Sequence, residues 1–213
     1  MSDYSHILWD FNGTILDDAR AAMECMNVLL RRRNKPPIKD IETYREVFCF
    51  PVTEYYKKVG FDFEKENIDT VINEWLEQYL ISVKKAPLCE GVPETLELFK
   101  RQGKKQLILS ASEKNIILNL LPVLGVDKYF DEVLGLDNFS ADSKERIALL
   151  WMKRESPEKV LLIGDTAHDY RVARSIGADC VLIASGHESR KKLQAYGAPV
   201  FDTLKGYTAI FSL

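Results

Sequence analysis

Apolar side chains recur at three- and four-residue steps between positions 17 and 84; beyond that, the rhythm changes to short unbroken apolar runs set between helical stretches. Ala19, Ala22, Met23, Met26, Leu29 and Leu30 share one face of a predicted helix over 17–34, with Asp17 and Asp18 at its start and "NKPP" at its end. Shorter helices are predicted over 39–48 and from Pro51, since proline suits a first helical turn. Over 64–84, Ile68, Val71, Ile72, Trp75, Leu76, Tyr79, Leu80 and Val83 form one continuous stripe.

The unbroken runs are the residues leading to Trp9, "KQLILSAS" (105–112), 132–135, "KVLLIGD" (159–165) and "DCVLIA" (179–184). Between them lie predicted helices over 91–103, from Glu113 to Pro122, from Asp142 to Arg154 and up to Ile176, with Asp142 and Glu145 spaced as a capping box. Strands that are apolar throughout are covered on both faces, and alternation with helices makes the sheet parallel. The predicted class is α/β: a core of residues 1–16 and 85–213, interrupted after its first strand by an all-helical insert at 17–84.

Composition narrows the functional classes. A chain of 213 residues with 46% apolar and 29% charged residues is long enough for a full core plus a small second unit. Its net charge of −3 argues against nucleic-acid or acidic-membrane partners. The one dense basic run, Arg31 to Arg33, reads as a solvated helix end. Cys25, Cys49, Cys89 and Cys180 show no metal-binding spacing, the N-terminal residues are polar without a signal-like pattern, and no apolar run approaches a membrane span. A reduced, cytoplasmic setting is expected.

The chemistry gathers where strands end. Ligands of open parallel sheets bind outside the carboxyl ends of the strands. There the chain places Asp10, Asn12, Gly13 and Thr14; Ser110 and Ser112; and Asp165 and Asp169 of "GDTAHD", with Lys144 in the first turn of a helix. Carboxylates with open water positions suit a hard Mg²⁺ ion. Ser110 and the amides of the helix after it can hold phosphate oxygens, and Lys144 adds a point charge. Ser112 reads as the N-cap before Glu113. The combination suits phosphoryl transfer.

"DFNGT", the strand ending in Ser110, Lys144 and "GDTAHD" resemble, in order, the four motifs of the haloacid dehalogenase (HAD) superfamily. The helical insert resembles the C1 cap of its phosphoglycolate phosphatase-like members. The resemblance implies a Rossmann-like core with the Asp10 strand central, and Asp10 as a nucleophile that becomes an aspartyl phosphate. It implies Mg²⁺ held by Asp10, the backbone carbonyl of Asn12 and Asp165, with Asp169 a direct or outer ligand. Phosphate binding would fall to Ser110, Ala111, Lys144, Asn12 and Gly13, and the substrate would be a small phosphorylated metabolite. The "KP" pair common in the family is absent at Lys144.

Asn12 departs from the pattern, because the family's general acid and base is an aspartate there. An amide cannot exchange a proton at accessible pH, and the missing step is worth 10²–10⁴-fold. Three accounts stay open: turnover assisted by water or His168, phosphate binding with little turnover, or an engineered or deamidating Asn12. A dehalogenase would not need the metal-type carboxylates, and a receiver-type domain would not carry the insert. Arg45 and Lys57 are candidates for substrate choice. Trp75, Tyr79 and Trp151 are assigned to the core, and His187 to a solvated loop.

Overall fold

The computed structural model describes residues 3–136 and 143–209. Six parallel strands form one sheet: β1 (His6–Trp9), β2 (Lys105–Glu113), β3 (Glu132–Leu136), β4 (Val160–Gly164), β5 (Asp179–Ile183) and β6 (Val200–Phe201), in the order β3-β2-β1-β4-β5-β6. β1 is central, with Leu8 paired to Leu107 on one side and Leu162 on the other. The predicted parallel class and the central Asp10 strand are both observed. The two-residue β6 carried too little pattern to be predicted.

Successive strand residues point to opposite faces, so each apolar run builds two cores. Ile7, Trp9, Ile108 and Ile163 pack on the side of α5 (Val92–Arg101) and α6 (Lys114–Leu124). Leu8, Leu107, Leu109 and Leu162 pack on the side of α7 (Lys144–Glu155) and α8 (Ala167–Ser175). Trp151 is buried in this second core, as predicted.

Between β1 and α5 come α1 (Ala19–Arg32), α2 (Ile41–Val47), α3 (Val52–Lys58) and α4 (Ile68–Ser82). The apolar face of α1 is buried along its length, whereas the stripe of α4 is only partly so: Val71 and Tyr79 are buried, and Ile72, Trp75 and Leu76 border a cavity. Part of the α4 stripe thus faces open space rather than core. Arg31 and Arg32 are exposed as expected, but Arg33 is half-buried, pairing with Glu66 and Glu74 and lying over Phe61. It joins α1 to α4, with pairing that outweighs the solvation of a free helix end. Short helices α9 (Arg190–Leu193) and α10 (Leu204–Ala209) flank β6.

Several predicted helix starts move, that of α4 from 64 to Ile68, where Asn67 caps it by accepting from the Thr70 amide. Ser143 caps α7, accepting from the Arg146 amide at 3.2 Å, and the proposed cap Asp142 lies outside the described residues. Glu113 precedes α6, because β2 runs on through Ser112.

Candidate active site

The ends of β1 and β4 bring Asp10 and Asp165 side by side, and the first turn of α8 adds Asp169. One oxygen from each of the three buried carboxylates lies within 4.8 Å of the others. Lys144, the first residue of α7 and 3% exposed, places its ammonium between Asp10 and Asp169 and donates to Oδ1 of both. Burial is the largest influence on Asp10 and lifts its pKa to about 6 against the pull of Lys144. Burial also raises Asp165 well above the ordinary carboxylate range. For Asp169, burial is overcome by the Lys144 charge and its hydrogen bonds, and the pKa falls. Lys144 is held protonated, its two carboxylates outweighing burial.

The carboxylates differ in what they leave free. Asp169 Oδ2 accepts from the Thr166 amide at 3.0 Å, the Thr166 hydroxyl at 2.7 Å and the Asp165 amide at 3.2 Å, as the third residue of a capping box. With Oδ1 on Lys144, both of its oxygens are engaged. Asp10 Oδ2 and Asp165 Oδ1, by contrast, meet only the Thr14 hydroxyl among the described residues, at 3.4 and 3.3 Å. That hydroxyl has one proton for two long contacts, so this edge is where a cation fits best. Hard oxygen donors at this spacing match a small divalent ion. Asp165 Oδ2 accepts from the His187 amide at 2.6 Å. Gly13, at φ +76°, and Gly186 approach Asp165 so closely that a Cβ on either would overlap its carboxylate.

Asn12 is fixed by three partners. Its carbonyl oxygen accepts from Ser112 Oγ at 2.7 Å, and its amide nitrogen donates to Asp18 Oδ2 at 2.9 Å and to the Tyr79 hydroxyl at 2.6 Å. Ser112 therefore binds Asn12 instead of capping α6. Ser110 is buried, and its Oγ accepts from the Ser112 amide at 3.0 Å. Because β2 continues to Glu113, the N-terminus of α6 does not directly follow Ser110. Exposed Ala111 lies in the register shift between Leu109 and Glu113.

Asp18 is the functional candidate that helix reading hid. It stands at the N-cap of α1 yet makes no side-chain cap. Its carboxylate accepts instead from the Gly13 amide at 2.8 Å, from Asn12 and from Tyr79, and lies 3.3 Å from His187 Nε2. Burial opposes its charge, but His187 and these donors win and lower its pKa. His187 is buried, not solvated as predicted, with Nδ1 2.7 Å from the Tyr44 hydroxyl. Burial disfavours its charged ring, but Asp18, Asp165 and Asp10 raise its pKa to about 9. Its sequence context, "SGH", held no signal of this; the buried acid opposite it was needed.

A cavity of about 270 Å³ opens above these groups. Asp10, Asn12, Ser110, Ala111, Lys144 and Asp165 border it on the sheet side. Trp75 and Tyr79 border it opposite and stack on each other at 4.7 Å; Tyr79 belongs to the core as predicted and Trp75 packs against it, while both also present a face to the cavity. His168 also borders it, stacked on Phe50 at 4.8 Å, and burial lowers its pKa. Of the two substrate-choice candidates, Arg45 donates to the carbonyls of Ser185 and Gly186, while Lys57 is exposed and pairs with Glu54. All four cysteines are free thiols, and among the described residues no helix is long and apolar enough to cross a membrane.

Comparison with known proteins gives a consistent set. Residues 7–183 match the family described as haloacid dehalogenase-like hydrolase. A phosphoglycolate phosphatase from Aquifex aeolicus is 26% identical over 193 residues, covering 85% of each chain. Phosphoglycolate phosphatase 1 from Pseudomonas aeruginosa is 22% identical, covering 93% of this chain and 76% of the relative. A haloacid dehalogenase-like family hydrolase from Streptococcus pneumoniae superposes with a TM-score of 0.84 at 19% identity, over 99% of this chain and all of that one (100%).

Proposed function

The chain belongs to the haloacid dehalogenase-like hydrolase family, and from that premise we propose that it is a Mg²⁺-dependent phosphomonoesterase with Asp10 as nucleophile. The observation that carries this reading is the contact set Asp10–Lys144–Asp169 beside Asp165, buried at the carboxyl edge of the sheet. An oxygen of Asp10 attacks phosphorus and the ester P–O bond breaks. The alcohol departs with a proton, and water then cleaves the aspartyl phosphate to regenerate Asp10 and release inorganic phosphate.

Asp10 and Asp165, with the backbone carbonyl of Asn12, would hold the Mg²⁺, which lowers the repulsion between an anionic phosphate and an anionic nucleophile. Asp169 acts through Lys144, fixing the ammonium where it neutralises Asp10 and meets phosphate oxygens. Ser110, Ala111 and Gly13 contribute to the phosphate end, and the helical block 17–84 serves as the cap that shuts out bulk water. The free thiols fit a reducing, cytoplasmic setting, and the substrate proposed there is a small phosphorylated metabolite.

Asn12 fits this site because of Asp18. An aspartate at position 12 would set two carboxylates in the 2.9 Å contact the amide now makes, and like charges at that spacing cannot both ionise freely. Proton transfer then falls to side chains bordering the same cavity, His168 and His187, or to water. A second reading, phosphate binding with little turnover, is favoured by the three hydrogen bonds that lock the amide in place.

The test is hydrolysis of a phosphomonoester panel with Mg²⁺ and with chelator, using native protein, Asp10→Asn and Asn12→Asp. The expected result is Mg²⁺-dependent turnover that Asp10→Asn abolishes. Turnover that persists in Asp10→Asn overturns the nucleophile assignment. Native protein that binds phosphate but turns over only as Asn12→Asp establishes the second reading.

A further inference from the structure

Much of the cavity lining is apolar. Phe50, Tyr55, Ile72, Trp75, Leu76 and Ile116 border it together with the carboxylates of the sheet edge. A leaving group bound there leaves water for hydrocarbon, which favours apolar surface and penalises an unpaired charge heavily.

A second anionic group would need a cation to meet it, and the described lining residues provide none that is unengaged. Lys144 is enclosed by Asp10 and Asp169, and His187 is held by Asp18 and Tyr44. His168 lies flat on Phe50 as part of the apolar surface. Arg45 is turned away, bonded to the Ser185 and Gly186 carbonyls and to Glu42. The remaining charges are negative: Asp18 and Glu113 border the same space.

We propose that this site selects phosphomonoesters of uncharged, largely apolar alcohols, aromatic or aryl-alkyl in kind, and rejects small phosphoesters that carry a carboxylate. The proposal rests on the phosphomonoesterase reading and specifies its substrate class. At about 270 Å³ the cavity is near the lower end of small-molecule sites, enough for one ring system beside the phosphate.

Two matched pairs test it. 2-Phenylethylphosphonate and 3-phosphonopropionate are non-hydrolysable and differ in a phenyl ring against a carboxylate. Calorimetric titration of native protein with Mg²⁺ should give at least about 30-fold tighter binding of the phenyl compound. Equal affinities, or preference for the carboxylate, overturn the proposal, as does failure of both to bind.

Benzyl phosphate and 2-phosphoglycolate both release alcohols, so their kcat/KM ratio reads the cavity rather than leaving-group reactivity. The same preference is expected in turnover. Preferred hydrolysis of phosphoglycolate overturns the substrate class but leaves the phosphatase reading standing. Preferred binding of the phenyl compound without hydrolysis of benzyl phosphate does the reverse. Leu76→Arg, which puts a cation in the apolar wall, should move the binding ratio toward the carboxylate by about 10-fold.

Discussion

The sheet edge and the helical wall enclose one cavity but are held by different forces. At the edge, three carboxylates gather within a few ångströms, two of them share one ammonium, and nearly every polar atom has an assigned partner. Across the cavity, rings and branched aliphatic chains stack on each other, with Tyr79 as the main polar bridge to the edge. Positions at the edge are fixed by directional bonds, so a change there disturbs geometry and charge together. Positions in the wall are fixed by shape, so a change there alters what fits while the charged groups stay where they are.

That contrast can be broken from either side, and the strongest blow falls on the edge. Asp10→Asn should reduce kcat to background, a loss on the order of 10⁶-fold for removal of a nucleophile, measured by phosphate release at saturating substrate. Lys144→Met leaves Asp10 and Asp169 buried without their counter-charge. Denaturant titration should show a loss of about 3–5 kcal/mol.

His187 sharpens the comparison through pH. Its folded pKa, raised to about 9 from 6.5, makes its charged form a stabilising one. That contribution is complete below about pH 6.5 and is lost as pH rises through about 9, on the order of 3 kcal/mol in all. Unfolding of metal-free protein from pH 6 to 10 should show the decline, and His187→Gln should flatten it.

Asn12→Asp should cost about 1–2 kcal/mol at neutral pH through repulsion of Asp18. The pairing predicts rescue: Asn12→Asp with Asp18→Asn should recover the stability lost by the single change. The smallest effect belongs to the wall. Trp75→Ala should weaken binding of 2-phenylethylphosphonate by about 10-fold while inorganic phosphate binding changes little.

The same division governs how much could be read in advance. β1, β2 and β4 announce themselves as unbroken apolar runs, and Asp10, Lys144, Asp165 and Asp169 follow from where those runs stop or helices begin. Backbone direction alone carries such residues to one edge. Asp18, Tyr44, Tyr79 and His187 meet only when helices α1, α2 and α4 fold over the loop after β5, and nothing in their local sequence encodes that meeting. Asp18 was hidden further by a plausible local role, since an acid at a helix start is ordinarily a cap. The stripe of α4 was visible, but periodicity does not distinguish a face pressed on core from one bordering a cavity. β6, at two residues, is defined by its pairing with β5 and not by its own composition.

Arg45 gives this arrangement a mechanical consequence. Its guanidinium grips the carbonyls of Ser185 and Gly186, and Lys192 reaches back to the carbonyls of Arg45 and Phe48. The next residue along that loop, His187, donates its amide to Asp165. Roof and floor are therefore braced through this strut, beside the contact of Tyr44 with His187: α2 is tied to the segment that steadies Asp165. Loosening the strut should therefore slacken the roof and the floor beneath it together.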